Sequence, residues 1–320
     1  MPPPTDPRRL VDAIVGGDRR ALARGISIVE DGRPGWRPVV AGCHMAGGRA
    51  RVVGITGAPG SGKSTLVDRL VAGSREQREL VAVVAVDPSS PFTGGAILGD
   101  RVRMQAHVSD PGVYVRSMSN RGHLGGLADA TAKVVVLLDA AGFDAVYVET
   151  VGVGQSEVEV VELADTVAVV VTPGMGDDIQ AAKAGLLEIG DVYVVNKSDL
   201  AGADEVVRHL MSMLALAAQP RWHAPVVACS AASGEGVVAV VDALDAHRRH
   251  LEIEGRLADR RRRQAGRAVR AALLTRLERI VDESVAAETV DAVVAREIDP
   301  WSAAEQLAAT GRADGPDASL

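Results

Sequence analysis

The feature that most constrains the fold of this chain is a series of short Val- and Ile-rich runs separated by helix-like stretches. Within each run the apolar residues are nearly continuous, which is typical of strands that are covered on both faces. Alternation of such strands with helices predicts an α/β fold with a doubly wound, mostly parallel sheet. The predicted strands are Val52–Thr56, Val81–Val86, Val113–Val115, Ala145–Val148, Thr166–Val171, Val192–Val195 and Val226–Ala228. Functional residues are expected at the carboxyl ends of these strands.

The composition fits this fold and narrows the classes of partner. Apolar residues make up 47% of the 320 residues but aromatic residues only 2%, and the net charge is −7. Few aromatic residues argue against stacking on single-stranded nucleic acid, and the acidity argues against general binding of polyanions. Cys43 and Cys229 are the only cysteines and have no metal-ligand spacing. With no signal-peptide pattern and no apolar run long enough to cross a bilayer, the sequence predicts a cytoplasmic protein without membrane contact.

The predicted organisation has a core flanked by helical segments. Residues 1–48 are expected to form a helical extension, with Leu10 and Ile14 at helical spacing and a break near Gly16. A core spans 49–241 and a helical arm spans 242–310, followed by a disordered tail at 311–320. The arm contains too little apolar material to fold alone, so we expect it to pack on the core or on a second copy of the chain.

A glycine-rich loop between the first predicted strand and a helix predicts a phosphate site. The stretch "GITGAPGSGKST" has the spacing of a phosphate-binding P-loop. Its backbone N–H groups and the following helix N-terminus favour phosphate oxygens, Lys63 would reach the β- and γ-phosphates, and Ser64 would ligate Mg²⁺. The predicted nucleotide-binding residues of this loop are Gly57, Ala58, Pro59, Gly60, Ser61, Gly62, Lys63, Ser64 and Thr65.

A second motif, "NKSD", indicates which base is bound. Asn196, Lys197 and Asp199 follow a later strand, and a carboxylate in the plane of the base accepts hydrogen bonds from guanine but finds no such donors on adenine. "CSAASGEG" adds Ser230 and Ala231, where a backbone N–H would meet guanine O6. The sequence therefore predicts GTP and GDP rather than ATP as ligands.

Three acids are candidates for the metal site and the catalytic set. Asp87 and Glu149 lie at strand ends, and Asp100 lies near the start of a helix. The stretch between Asp87 and Asp100 is rich in Pro, Ser and Gly, which suits a segment ordered by the γ-phosphate. A turn before Pro88 and a helix N-cap are the other roles open to Asp87 and Asp100. The N–H of Gly152 would meet the γ-phosphate. Gln155 would either position the attacking water or brace the loop.

Beyond these residues, the chain resembles the MeaB/ArgK family of P-loop GTPases, chaperones of methylmalonyl-CoA mutase and related cobalamin-dependent acyl-CoA mutases. The resemblance is carried by "GITGAPGSGKSTL", "VAVDPSSPFTGGAILGDRVRM", "RSMSNRGHLGGLA", "GFDAVYVETVGVGQSE", "PGMGDDIQAAKAGLLEIGDVYVVNKSDL" and "DPWSAAEQL".

The resemblance implies a metallochaperone-type G protein that hydrolyses GTP and assists adenosylcobalamin loading and protection of the mutase. It implies a C-terminal dimerisation arm, and so a homodimer. It matches Lys63 and Ser64 to phosphate and Mg²⁺, Asp87, Asp100 and Glu149 to the metal site, and Asn196–Asp199 to guanine. Residues 172–185 correspond to a third mobile segment of the family that communicates with the mutase.

Two other functions stay open at this point. One is a GTPase for metal-centre insertion of the nickel-enzyme maturation type, although such proteins usually carry sites rich in His and Cys. The other is a nucleic-acid-associated GTPase that uses the basic run Arg260–Arg263. A run of this kind is more often a solvated helix face or a partner-docking surface.

Overall fold

The computed structural model describes residues 6–87, 107, 109–119, 126–150, 163–174, 189–216 and 222–313. Seven strands form one sheet in the order β3-β2-β4-β1-β5-β6-β7, and every strand pair is parallel. The strands are β1 (Arg51–Thr56), β2 (Val81–Asp87), β3 (Val113–Ser119), β4 (Ala145–Thr150), β5 (Thr166–Val171), β6 (Val192–Val195) and β7 (Val226–Ala228). The predicted α/β fold with a doubly wound parallel sheet is confirmed.

The strand that was predicted least accurately is β3. The sequence prediction stopped at Val115 because Arg116 and Ser117 are polar, yet the strand continues to Ser119. β3 lies at the edge of the sheet, where a polar side chain can leave the core, and Arg116 forms an ion pair with Glu30 of a neighbouring helix.

Both faces of the sheet are covered, as continuous apolar strands require. In β2, Val81 and Val83 belong to one core cluster while Ala82 and Val84 belong to the other, which is the period-two alternation of a strand with two apolar faces. Among the described residues, the helices of the first part of the chain are α1 (Pro7–Val15), α2 (Arg19–Glu30), α3 (Trp36–Ala46), α4 (Lys63–Glu76), α5 (Gly126–Ala140) and α6 (Ala203–Ala215).

The N-terminal helices are part of the main core. Leu10, Ile14, Leu22 and Ile26 are buried in the same cluster as residues of α5 and the sheet. Asp6 and Asp18 cap α1 and α2 by accepting hydrogen bonds from backbone N–H groups of the first turn, as helix N-caps do. The break predicted near Gly16 separates these two helices.

The helical segment after the last strand begins earlier than the sequence indicated. Helix α7 (Val237–Glu252) is followed by a 3-10 turn at Ile253–Gly255 and by α8 (Arg256–Ser284), whereas the sequence suggested one helical stretch from 242. Leu244 and Val240 of α7 are buried in the core cluster that α4 helps to form. The chain divides into two compact units after Ala265, so residues 242–265, which the sequence assigned to the arm, lie in the first unit.

Two arginines of the basic run form ion pairs within the chain rather than a solvated face. Arg260 donates to both carboxylate oxygens of Asp191, at 3.1 and 2.9 Å, and Arg261 donates to both oxygens of Asp165, at 3.1 and 2.9 Å. Asp165 and Asp191 also accept from the backbone N–H groups of Val52 and Val167. The bidentate pairs therefore fasten the first turns of α8 to the amino-terminal edge of the sheet.

A buried histidine adjoins the same acid. His247 is 2% exposed, its Nδ1 lies 2.9 Å from the Thr166 hydroxyl, and its Nε2 lies 3.3 Å from Asp191. Burial lowers the pKa of His247 to about 4, so the ring is neutral at pH 7. A neutral ring facing a carboxylate carries its proton on Nε2, and its Nδ1 then accepts from Thr166.

The second unit, from Gly266, contains the remainder of α8 with α9 (Ala287–Val294) and α10 (Pro300–Ala313). Among its described residues Ala303 alone is buried. Leu273, Leu277 and Ile280 lie exposed along one helix face of α8. In the described part of the chain, no helix is long and apolar enough to cross a membrane.

Candidate nucleotide site

Parallel pairing brings the carboxyl ends of the strands to one edge of the sheet. Gly57 follows β1, Glu149 lies near the end of β4, Asn196 follows β6 and Ser230 follows β7 by two residues. Ile55 of β1 is in register with Glu149. Residues that lie far apart in the sequence therefore meet at the edge where α/β proteins bind ligands.

Two glycines of the loop between β1 and α4 lie very close to neighbouring groups. Gly57 has φ +141°, and a Cβ there would lie 2.1 Å from the backbone carbonyl oxygen of Val170 in β5. Gly62 has φ +87° and precedes α4, and a Cβ there would lie 2.3 Å from Nδ2 of Asn196. The spacing of the loop thus follows from left-handed dihedrals and from close approach of neighbouring strand ends.

Lys63 is held over this loop. Its Nζ donates to the carbonyl oxygens of Gly57, at 2.6 Å, and Ala58, at 2.9 Å. The side chain is buried, and a buried ammonium group needs such acceptors. Two loop carbonyls therefore fix the one positive side chain that the P-loop pattern contributes.

The predicted metal residues Ser64 and Glu149 meet in the structure. The Ser64 hydroxyl donates to Oε1 of Glu149 at 2.5 Å, and both residues are buried. Nearby, the Thr150 hydroxyl donates to the Thr56 hydroxyl at 3.1 Å. A hydroxyl beside a carboxylate is an oxygen donor set of the kind that Mg²⁺ prefers, so these residues fit the metal that the sequence predicted.

One polar atom of the loop is buried without a protein partner. The Ser61 hydroxyl oxygen makes no hydrogen bond to any described residue. Buried polar groups are normally satisfied, and an unsatisfied hydroxyl in a phosphate-type loop fits a ligand with acceptor oxygens.

Asn196 joins the phosphate loop to the loop after β7. Its Nδ2 donates to the Ser61 carbonyl oxygen at 2.7 Å, and its Oδ1 accepts from the Ala231 N–H at 3.0 Å. Asn196 is 2% exposed. The structure therefore gives this residue a bracing role between two loops. The sequence predicted that a backbone N–H at Ser230 and Ala231 would meet guanine O6, but here the Ser230 N–H donates to the Glu235 carbonyl oxygen and the Ala231 N–H donates to Asn196.

The rest of the "NKSD" segment has a strained backbone and an ionised acid. Lys197 has φ +57°, a left-handed conformation that is uncommon for a residue with a side chain. Asp199 is exposed, and a hydrogen bond from the Ser230 side chain holds the pKa of Asp199 below its usual range. The carboxylate is therefore ionised at neutral pH, as an acceptor for guanine N–H groups must be.

Arg69 of α4 was not identified from the sequence. Its Nε donates to the Ala231 carbonyl oxygen at 3.0 Å, and its Nη2 donates to that of Ala232 at 2.9 Å. An arginine six residues after the P-loop lysine carries no recognisable local signal, because its acceptors lie more than 160 residues later.

Several predicted site residues lie outside the described residues. These are Asp100, Gly152 and Gln155, and most of the segment 172–185. The backbone of Asp87 ends β2, but its side chain is not described. Within the described ranges no group of three His, Cys, Asp or Glu side chains is arranged to hold a metal.

Comparison with known proteins gives a consistent result. The sequence profile of the family described as methylmalonyl-CoA mutase-associated GTPase MeaB matches residues 22–288. A putative GTPase of Pyrococcus abyssi is 44% identical over 306 residues, which cover 93% of this chain and 94% of the relative. The mouse protein named methylmalonic aciduria type A homolog, mitochondrial, is 34% identical over 275 residues, covering 80% of this chain and 66% of the relative.

Similarity extends to a solved structure. The crystal structure of a LAO/AO transport system kinase is similar with a TM-score of 0.71 at 25% sequence identity, covering 96% of this chain and 97% of that one. The family match over most of the length, together with the phosphate loop and the "NKSD" segment at one edge of a parallel sheet, identifies the chain as a GTPase of the MeaB family.

Proposed function

We propose that this GTPase assists the loading of adenosylcobalamin onto methylmalonyl-CoA mutase, or onto a related acyl-CoA mutase, and protects the loaded enzyme. The observation that carries the proposal is the match of a mutase-associated GTPase family over residues 22–288. The name of the mouse relative refers to methylmalonic aciduria, which also supports methylmalonyl-CoA mutase as the partner.

The nucleotide is proposed to bind along the edge formed by Gly57–Thr65, Asn196–Asp199 and Ser230–Ala231. Lys63, fixed by two loop carbonyls, would neutralise charge on the β- and γ-phosphates as the γ-phosphoryl group is transferred to water. Gln155 remains our candidate for positioning that water, and the Gly152 N–H for contacting the γ-phosphate.

The metal is proposed to be held by Ser64 and Glu149, with Asp87 and Asp100 as the further acids. Bound Mg²⁺ would supply charge neutralisation at the phosphate oxygens. The proximity of the Ser64 hydroxyl and the Glu149 carboxylate, at 2.5 Å, supports this donor set.

Base selection is proposed to depend on the Asp199 carboxylate. The variant Asp199→Asn would exchange an acceptor for a donor, so we expect preference to move from guanosine to xanthosine nucleotides, whose 2-oxo group accepts a hydrogen bond. Competition binding with GDP and XDP measures the change, and an unaltered preference would contradict the role of Asp199.

A homodimer through the second unit is the proposed quaternary state. Ala303 is the one buried residue among its described members, while Leu273, Leu277 and Ile280 line an exposed helix face. A second copy of the same unit would cover these side chains by an isologous contact. Leu277→Glu is expected to give a monomer in light scattering, whereas Leu216→Glu, at an exposed position of the first unit, should not change the mass.

The chaperone role is tested by co-purification with candidate cobalamin mutases and by measuring GTP hydrolysis with and without each of them. We expect one mutase to bind and to change the hydrolysis rate. The Asp199→Asn variant provides a matched control, because its coupling to the mutase should require XTP instead of GTP. Absence of binding and of any rate change across all candidates would refute the proposal.

The basic run that suggested a nucleic-acid-associated GTPase is partly engaged within the chain. Arg260 and Arg261 of the basic run are engaged with Asp191 and Asp165, so half of the run is used in ion pairs within the chain. Family membership favours the mutase over the nickel-enzyme type of client.

A further inference from the structure

We propose that Arg69 is a positioning residue for guanine recognition, acting through the backbone of residues 231–233. The proposal rests on the nucleotide site described above. Arg69 lies on α4, the helix that begins at Lys63, and its guanidinium donates to two successive carbonyl oxygens of the loop after β7, those of Ala231 and Ala232. The phosphate-loop helix is thereby bonded to the loop that follows the last strand.

These two bonds fix the direction of backbone donors. In a planar trans peptide the carbonyl of one residue and the N–H of the next point in opposite directions, and the described chain contains no cis peptide bond. When Arg69 holds the Ala231 carbonyl, the Ala232 N–H is directed away from Arg69. The bond to the Ala232 carbonyl directs the Ser233 N–H in the same way.

The preceding peptide is fixed from another side. The Ala231 N–H donates to Oδ1 of Asn196, and Ala231 is buried. Three successive peptide units are therefore oriented, one by Asn196 and two by Arg69. Because the Ala231 N–H is engaged, we assign the contact with guanine O6 to the N–H groups of Ala232 and Ser233, which Arg69 orients.

The chemistry of the side chain explains why arginine is suited to this position. Its planar guanidinium presents donors in a fixed fork, so one side chain holds two adjacent carbonyls without independent motion of the donors. A lysine would offer a point charge on a flexible stem. Arg69→Lys is thus expected to retain attraction for the carbonyls but to lose their fixed orientation.

The test compares dissociation constants for GDP and 6-thio-GDP, in which sulfur, a weak acceptor, replaces O6. In the wild-type protein GDP should bind about fivefold more tightly, the worth of one neutral hydrogen bond. In Arg69→Ala this ratio should fall toward one, with Arg69→Lys between the two. A general loss of folding or of phosphate binding would weaken both nucleotides equally and leave the ratio unchanged.

Arg75→Ala is the matched control. Arg75 lies on the same helix and also makes a two-point contact, to the Asp110 carboxylate at 2.8 and 3.1 Å, but it touches neither Ala231 nor Ala232 in any described hydrogen bond. In Arg75→Ala the preference for GDP over 6-thio-GDP should equal that of the wild type.

The possible results separate the two proposals. If the wild type does not prefer GDP to ADP, the proposed nucleotide site is wrong. If it prefers GDP but shows no discrimination against 6-thio-GDP, or if the Arg69 variants keep the wild-type ratio, the role of Arg69 is refuted while the site stands.

Discussion

Removal of the Asn196 side chain is expected to weaken the protein before any nucleotide is added. Asn196 donates to the Ser61 carbonyl oxygen at 2.7 Å and accepts from the Ala231 N–H at 3.0 Å, and it is almost completely buried. The substitution Asn196→Ala leaves a backbone acceptor and a backbone donor without partners.

The magnitude follows from the cost of those two groups. An unsatisfied buried donor or acceptor costs about 1–3 kcal/mol. Gly60, next to Ser61, is exposed, so water can reach part of the loop and the lower half of the range applies. We therefore expect the free energy of unfolding to fall by about 2–4 kcal/mol, or the Tm by roughly 4–16 °C in a unit of this size.

The assay is thermal and denaturant unfolding of the nucleotide-free protein, followed by the same measurement with saturating GDP. The variant should also gain less stability from GDP, because the two loops that would hold phosphate and base are no longer joined. Ser61→Ala is the matched control for the nucleotide-free measurement, since it removes a hydroxyl that has no described partner and keeps the carbonyl that Asn196 uses. An Asn196→Ala protein that unfolds within about 0.5 kcal/mol of the wild type would refute the bracing role.

Three further predictions concern other parts of the molecule. Gly57→Ala should reduce GDP affinity at least tenfold, because its Cβ would lie 2.1 Å from a backbone oxygen. The control Gly73→Ala has no atom within 4 Å of its Cβ, so it should be neutral or stabilise α4 by about 0.5–1 kcal/mol. Equal GDP affinities of Gly57→Ala and the wild type, measured by calorimetry, would argue against the close-approach explanation. Glu149→Gln should raise the Mg²⁺ concentration needed for half-maximal hydrolysis by about 10–100-fold, and an unchanged requirement would remove Glu149 from the metal site. The pKa of His247 is lowered from 6.5 to about 4, so the unfolded chain takes up a proton first as the pH falls. The stability that this neutral ring contributes is then fully present above pH 6.5 and decreases toward pH 4, by about 2 kcal/mol between pH 7 and 5. His247→Gln should lose this part of the pH dependence in denaturant titrations. A pH profile identical to that of the wild type would count against the lowered pKa of His247.

The strands were predictable because their signal is local. The limits of the buried strands β5 and β6 agree to the residue with the apolar runs Thr166–Val171 and Val192–Val195. A strand that is buried on both faces must be apolar along its whole length, so a run of consecutive apolar residues indicates where it begins and ends. This rule does not apply to β3, which lies at an edge of the sheet. Solvent on one side of β3 permits the polar residues Arg116 and Ser117, so the apolar run ends before the strand does.

The phosphate loop was predictable for a similar reason. Gly57, Gly62, Lys63 and Ser64 have fixed spacing because one turn of backbone and one helix start determine where each atom lies. The consecutive residues alone therefore indicated a phosphate site. The helix break at Ile253–Gly255 was missed although it had a local signal, because Gly255 has φ +72°, a conformation that glycine adopts readily.

The contacts that join these segments were decided by tertiary structure. Asn196 and Ser61 are 135 residues apart, Arg69 and Ala231 are 162 apart, and Arg260 and Asp191 are 69 apart. Each pair depends on the strand order β3-β2-β4-β1-β5-β6-β7, which local periodicity does not encode. Short-range chemistry thus specified the strands and the phosphate cradle, whereas the order of the strands determined which side chain would brace which loop.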